Sequence, residues 1–323
     1  MKTLICTSPG HMAYREAAPP EPEAGRAILR IRRTGICGTD VHAYAGNQPY
    51  FEYPRILGHE LAADLVETGG AEGFMPGERV TFIPYFHCGE CHACLQGKTN
   101  CCVRMKVCGV HVDGGMVEYL SVPAASLVKG EALSYDELAL VEPLAIGAHG
   151  IRRAAVRPGE SVLITGAGPI GVGLAEFAKI AGGVVTVTDV NAERLAFCGQ
   201  HTGVRTLMPD QLGSAAFDVV IDASGNLAAI NNALQYLAHG GRYVLVGLQK
   251  ADISISHPEL HKREGAVMSS RNATREDFEQ VTNAIRSKKI NPAAWITHRV
   301  SFDELASLMA DFPRQAIKVM TSY

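Results

Sequence analysis

The chain has 323 residues, 47% of them hydrophobic and 20% charged, with 33 glycines and a net charge of −3. That length sets two domains as the prior, and the composition is that of a glycine-rich α/β protein with ample core. The small negative charge gives no field for nucleic acid or an anionic membrane. The first nine residues hold too short an apolar run for a signal peptide, and no stretch approaches the ~20 apolar residues of a membrane span, so a cytoplasmic protein without nucleic-acid or membrane partners is expected.

Residues 1–80 carry short apolar runs rich in β-branched residues, broken at Pro19-Pro20-Glu21-Pro22, Gly46, Gly69-Gly70 and Pro76-Gly77. This is the rhythm of a β-rich domain with a partly closed sheet. Within it, Gly35-Ile36-Cys37-Gly38-Thr39-Asp40-Val41-His42 follows the apolar run Ala27-Ile28-Leu29-Arg30-Ile31, so Cys37 leaves a strand into a loop. His59 and Glu60 follow a turn-rich segment (Asn47, Pro49, Pro54) and lead into the apolar alternation of 61–66. Cysteine, histidine and carboxylate are zinc ligand types, and a catalytic zinc takes three of them and keeps a fourth position open. Alone, one Cys and one His are more often a buried thiol and a satisfied imidazole. The rest of the chain shifts that balance.

Five of the nine cysteines lie between 88 and 102, which points to metal or catalysis sooner than to disulfides. Cys88, Cys91 and Cys94 are spaced so that a tight loop wraps one ion, and a fourth thiolate returns from Cys102 or its neighbour Cys101. Four thiolates make a closed, structural zinc site. A nucleic-acid zinc module is disfavoured because no basic helix follows. Strand alternation resumes at Met116-Val117-Glu118-Tyr119-Leu120-Ser121-Val122, and Leu140-Val141-Glu142-Pro143-Leu144 then places a glutamate inside an apolar run. Such a carboxylate is either bound at a metal site or sits at a helix N-terminus favoured by the dipole.

The texture changes at 158. A short buried strand, Ser161-Val162-Leu163-Ile164-Thr165, runs into Gly166-Ala167-Gly168-Pro169-Ile170-Gly171 and a helix to about 179, and a second strand, Val184-Val185-Thr186-Val187-Thr188, ends at Asp189. G-x-G-x-x-G between a strand and a helix, with an acid closing the next strand, is the dinucleotide fingerprint. The first two glycines permit the tight turn and close approach of the pyrophosphate, and the third permits helix–strand packing. Asp189 accepts from the adenosine ribose hydroxyls and repels a 2′-phosphate, so the expected cofactor is NAD. Arg194 is kept among the cofactor contacts, though it lies too far along to be the first choice as a 2′-phosphate clamp. Strands at 217–225, 240–247 and 266–271, with helices at 227–238 and 276–288, continue a doubly wound parallel sheet. Ligand lies beyond the carboxyl ends of such strands, which adds Val246, Gly247 and Arg271 to the cofactor contacts. Short elements at 296–300 and 317–320 are expected to return to the first domain.

With Gly35 to His42, Leu57-Gly58-His59-Glu60, the four-cysteine loop, Val141-Glu142-Pro143-Leu144 and Gly166 to Gly171 in one chain, the sequence resembles the zinc-dependent medium-chain dehydrogenases over essentially its full length, the polyol/threonine branch in particular. The segment 209–217 is shorter than usual for that family. The resemblance implies a GroES-like catalytic domain over 1–147, carrying the structural zinc loop (88–102) and completed by 290–323, with a Rossmann NAD-binding domain over 148–289. It also implies two zinc ions per chain, a homo-oligomer (tetramer or dimer), and Cys102 rather than Cys101 as fourth thiolate. At the catalytic ion Cys37 and His59 are ligands, and Glu60 and Glu142 can each be ligand or water partner. Thr39 and His42 match the family's proton relay, the bland alternatives being a cap on a helix starting at Asp40 and a surface histidine.

The expected reaction is hydride transfer from a secondary alcohol of a polyhydroxy substrate to NAD, with carbon 5 of a six-carbon sugar acid as first choice. Threonine and polyol phosphates are the alternatives, and a zinc-stabilised nucleotide-binding regulatory protein is the non-enzymatic one. Asn47 and Gln48, in the loop Asn47-Gln48-Pro49-Tyr50, are candidates for the substrate hydroxyls. Arg271, with Lys262 as second choice, is the candidate for the carboxylate; contact with the nicotinamide ribose or a neighbouring subunit is the other reading of Arg271.

Overall fold

The computed structural model describes residues 1–48, 51–313 and 315–323. The chain divides into two compact units, 1–142 with 274–323, and 143–273. Among the described residues no helix is long and apolar enough to cross a membrane.

The first unit is built on the strand Arg26–Ile36, whose apolar positions are almost entirely buried. One edge pairs with Glu60–Glu67; the other pairs first with Tyr119–Pro123 and then with Lys318–Ser322. Two register shifts, at Ile28/Leu29 and Ile31/Arg33, let one strand serve successive partners, since bulges bend a strand and sharpen its twist. Arg79–Phe82, Leu127–Lys129 and Ile296–Ser301 complete a seven-stranded sheet. Leu29, Ile31, Leu61, Leu65 and Phe82 form its dry centre. The C-terminal strand thus returns to this unit, and it delivers Lys318 beside Ile36.

The second unit is a six-stranded, wholly parallel sheet in the order Arg205–Leu207, Val184–Thr188, Ser161–Thr165, Phe217–Asp222, Leu237–Leu245, Ala266–Ser269. The strand order reverses between Ser161–Thr165 and Phe217–Asp222, which is the switch point of a doubly wound sheet.

Two elements differ from the sequence reading. The helix expected over 227–238 is Leu227–Ala233 followed by a single 3₁₀ turn, and Leu237 already belongs to a strand, paired with Phe217 and 2% exposed. Burying Leu237 against the sheet outweighs the helical propensity of its neighbours. The helix Arg275–Arg286, expected as the last crossover of the dinucleotide unit, belongs to the first unit. Its Phe278 is fully buried and meets Tyr85 edge-on, and the Arg275 guanidinium donates to the carbonyls of Leu127 and Ala125 at 3.1 and 2.6 Å.

Candidate active site

The ligand atoms of Cys37, His59 and Glu60 all lie within 4.8 Å of one another. Sheet register brings them together. Cys37 caps the helix Gly38–Tyr44 at the end of its strand, and Glu60 opens the strand whose first residue faces Gly35. A Cβ on Gly35 would meet the Glu60 carboxylate at 2.2 Å, so this glycine makes room for the carboxylate.

Three further side chains, given no role by the sequence reading, hold the cluster. Asp40, 1% exposed, accepts from the Cys37 N–H at 2.9 Å and the Gly58 N–H at 3.1 Å, and its Oδ1 lies 3.8 Å from His59 Nδ1. It ties both ligand segments to one carboxylate. Its signal in the sequence is a carboxylate three residues after the helix cap. Lys318, 3% exposed, donates to both Glu60 oxygens at 2.7 and 2.6 Å, and to the Ile36 carbonyl at 3.3 Å. A lysine inside the apolar run at 317–320 was the available hint. Tyr85 donates its hydroxyl to Glu142, and nothing in the sequence connects that pair.

The charges explain what the cluster can hold. Burial pushes the Glu142 carboxyl up to about 7, and Glu60 adds to the rise. Burial likewise raises Asp40. For His59 burial opposes the charge, but Asp40 and Cys37 outweigh it and keep the pKa well above its ordinary value. A metal requires thiolate and neutral imidazole. Cys37, Glu60 and Glu142 then face the ammonium of Lys318, and Asp40 faces His59, an excess of negative charge that a dication offsets. His59 Nδ1 is buried without a hydrogen-bond partner, while the ring also interacts with Cys37. A Cys/His/carboxylate set with this charge balance fits zinc with an open position.

Cys88, Cys91, Cys94 and Cys102 form a second such group, while Cys101 is exposed and outside it. Backbone N–H groups of Cys88 and Arg104 donate to the Cys102 sulfur, both at 3.3 Å, and that of Cys91 to Cys88 at 3.4 Å. Backbone donors, that of Glu90 foremost, draw the Cys88 thiol down to about 6. Cys91 is lowered in the same way, whereas burial pushes Cys94 up to about 12, so a bound cation is what would complete the set of four thiolates.

In the second unit Gly166 has φ +104°, and a Cβ on Gly171 would sit 1.8 Å from the Gly166 carbonyl oxygen. Gly168, the cap of the helix Pro169–Ile180, would meet nothing within 4 Å and leaves the approach open. Asp189 accepts from the backbone of Ala167 at 2.7 Å and of Asn191 at 2.8 Å, which fixes its carboxylate against the glycine loop. Arg194 lies on the helix Ala192–Thr202, and Arg271 follows the strand Ala266–Ser269. The N–H groups of Val246 and Gly247 both donate to the Asp222 carbonyl.

Thr39 and His42 share the helix Gly38–Tyr44, one turn apart, with His42 exposed. That helix starts at Gly38 and not at Asp40, so Thr39 is not its cap. Asn47 is exposed and Gln48 half-buried; Pro49 and Tyr50, named with them from sequence, lie outside the described residues.

The pattern of the alcohol dehydrogenase GroES-like domain matches residues 23–132, and that of the zinc-binding dehydrogenases matches residues 169–287. The L-galactonate-5-dehydrogenase of Escherichia coli (strain K12) is 43% identical over 317 residues, covering 95% of this chain and 93% of that protein. A crystal structure of an alcohol dehydrogenase from E. coli CFT073 complexed with NADH superposes with a TM-score of 0.94 at 28% identity, over 100% of this chain and 99% of the other. The L-idonate 5-dehydrogenase of E. coli K-12 gives a TM-score of 0.91 at 26% identity, over 100% and 98%. The chain belongs to the zinc-binding alcohol dehydrogenases, with a GroES-like unit and a Rossmann unit.

Proposed function

We propose that the protein oxidises a secondary alcohol of a sugar acid with NAD as hydride acceptor, L-galactonate at carbon 5 being the first choice. The observation that carries the chemistry is the Cys37–His59–Glu60 group, whose ligand atoms lie within 4.8 Å of one another; three such ligands suit a catalytic zinc, which keeps a fourth position open. The choice of substrate is supported by the name of the 43% identical relative. When bound, zinc acidifies the substrate hydroxyl and NAD takes the hydride.

The chain's own residues do the rest. Cys37, His59 and Glu60 hold the ion, and Asp40 ties their segments together through the Cys37 and Gly58 N–H groups while its charge faces His59. Lys318 offsets the charge of Glu60, while Glu142, steadied by Tyr85, serves as alternative ligand or water partner. Thr39 and His42 lead the alcohol proton to solvent. Asn47 and Gln48 bind substrate hydroxyls, and the guanidinium of Arg271 grips the carboxylate through parallel hydrogen bonds. Gly166, Gly168, Pro169, Ile170 and Gly171 cradle the pyrophosphate. Asp189, with its carboxylate already fixed, repels a 2′-phosphate and selects NAD. Cys88, Cys91, Cys94 and Cys102 hold the structural ion. The protein works as a cytoplasmic homo-oligomer, a tetramer or dimer.

The test is a panel of aldonates, alditols, polyol phosphates and L-threonine with NAD, read as NADH absorbance. L-Galactonate should give the highest kcat/KM, and Arg271→Met should raise KM for it far more than for a neutral alditol. Absence of turnover with every aldonate rejects the substrate class, and turnover of none of the alcohols rejects the enzyme in favour of a nucleotide-binding regulator.

A further inference from the structure

Asp222 closes the strand Phe217–Asp222 and is fully buried. Among the described residues no basic side chain pairs with it. A carboxylate in that position is expensive to bury, and an apolar side chain would end the strand at less cost. Asp222 is instead saturated with donors. Oδ1 accepts from Thr165 Oγ1 at 3.0 Å, from the Ser224 N–H at 3.2 Å and from Ser224 Oγ at 2.6 Å; Oδ2 accepts from the Gly225 N–H at 3.1 Å. The backbone carbonyl of the same residue takes the N–H groups of Val246 and Gly247 at 2.9 and 3.0 Å.

These partners come from the carboxyl ends of three neighbouring strands, Ser161–Thr165, Phe217–Asp222 and Leu237–Leu245. The loops close on the carboxylate without slack. A Cβ on Gly247 would lie 2.6 Å from Asp222 Oδ2 and 2.3 Å from the Gly225 nitrogen, and Gly225 itself has φ +60°. The Asp222 side chain therefore anchors the 223–225 loop, while the 246–247 loop hangs on the backbone carbonyl of the same residue and packs against its carboxylate at Gly247.

The strand order says which part of a ligand those loops serve. Asp189 ends the strand on one side of Ser161–Thr165, and the acid at that place takes the adenosine ribose. The second mononucleotide then lies on the other side of the switch point, over the ends of Phe217–Asp222 and Leu237–Leu245. We propose that Asp222 is a positioning residue for the nicotinamide mononucleotide half of the cofactor, acting through the 223–225 and 246–247 loops and not by touching the ligand. The proposal rests on the dinucleotide reading of 166–171.

Asp222→Asn tests it with little change of shape. An amide nitrogen must face either the Gly225 N–H or the Thr165 and Ser224 donors, so the 223–225 loop loses an anchor in either orientation. In direct titrations the dissociation constant for NADH should rise about tenfold or more, and that for ADP-ribose, which lacks the nicotinamide, by less than about threefold. Ser224→Ala, which removes the 2.6 Å bond to Asp222 and the 3.1 Å bond that Ser224 Oγ accepts from the Asn226 N–H, should show a smaller loss with the same selectivity, and Ser224→Thr, which keeps the hydroxyl, should retain NADH binding. These milder variants keep the question open to test if Asp222→Asn does not fold. Parallel losses of NADH and ADP-ribose, tracking a fall in thermal midpoint, would make Asp222 merely structural and overturn the proposal. So would unchanged NADH binding in Asp222→Asn or Ser224→Ala. Failure of the unaltered protein to bind either ligand overturns the dinucleotide reading itself, and the proposal with it.

Discussion

The cysteine loop and the Cys37–His59–Glu60 cluster each gather their ligand atoms within 4.8 Å, but by opposite routes. All four thiolates of the loop come from 88–102, and the Cys88 and Cys102 sulfurs accept N–H groups from Cys88, Cys91 and Arg104, within or just beyond that segment. The open cluster draws on two strand ends, and the ammonium that balances it arrives from 258 residues further along the chain. One site is a property of a peptide loop. The other is a property of sheet register, because Gly35 faces both Glu60 and Met320, and Lys318 follows from that pairing. A closed site can be local because it needs only to hold an ion. An open one must keep a free position among buried, mutually repelling charges, and only a complete fold constrains those.

The largest effect that separates the two comes from removing one thiolate from each. Cys37→Ser should abolish turnover, a loss of roughly a thousandfold or more, given that metal polarisation contributes several kcal/mol to the barrier. One zinc per chain should disappear, with a smaller fall in thermal midpoint than loss of the structural ion causes. Cys91→Ser should also lose one zinc but should mainly lower the thermal midpoint, because a structural ion's binding energy is folding energy. Metal analysis, calorimetry and steady-state rates on both variants check this. Full zinc content and activity in Cys37→Ser would show that the open cluster is not the catalytic centre.

The same contrast explains what could be read from the sequence. The C-x-x-C-x-x-C spacing and G-x-G-x-x-G between strand and helix were legible because each is one continuous segment whose geometry follows from its own residues. Cys37, His59 and Glu60 were legible as ligand types at strand ends. Their supports were not. Asp40 had a local signal only for its bond to Cys37, and its reach to Gly58, like the pairings of Tyr85 and Lys318, is encoded by no local pattern. The helix Arg275–Arg286 shows the limit in another form. Its amphipathic pattern says that one face is buried, but only the contact of Phe278 with Tyr85 and the reach of Arg275 to Leu127 say against what. Leu237 likewise continued a helical pattern until strand pairing with Phe217 claimed it.

Lys318 offers the next test, since it belongs to the cluster and has no counterpart in the loop. Lys318→Met leaves the Glu60 carboxylate 1% exposed and without its cation. Removing one partner of a buried pair typically costs about 3–5 kcal/mol. That loss should appear in full in denaturant titrations of the protein chelated until one zinc per chain, that of the cysteine loop, remains. It should shrink in the zinc-loaded protein, where the ion takes over the balance of charge. Adding Glu60→Gln to Lys318→Met should recover most of the chelated protein's stability. Equal losses with and without zinc would mean that Lys318 supports the strand and not the charge of the site.

The smallest expected effect is a pH dependence that the cluster has and that its Glu142 controls. Glu142 rises from 4.5 to about 7 on folding, chiefly through burial. At ~1.36 kcal/mol per unit this amounts to about 3 kcal/mol. A carboxyl with a raised folded pKa binds more protons in the native state between the two values. Stability therefore falls as pH rises through that window, and the full penalty holds above it. His59, also raised, acts in the same direction: its contribution is present below its unfolded value of 6.5 and is lost as pH climbs through the folded value. The chelated protein should therefore lose stability between about pH 4.5 and pH 7 through Glu142, and further as His59 titrates above 6.5. Glu142→Gln, which still accepts the Tyr85 hydroxyl, should flatten that slope, gaining roughly 1–3 kcal/mol at the alkaline end. Cys91→Ser should leave the slope as it is. Loaded with zinc, the unaltered protein should lose most of this dependence, because the ion favours the deprotonated ligands. Identical slopes for the chelated unaltered protein and Glu142→Gln would place the Glu142 carboxyl outside the cluster's charge balance.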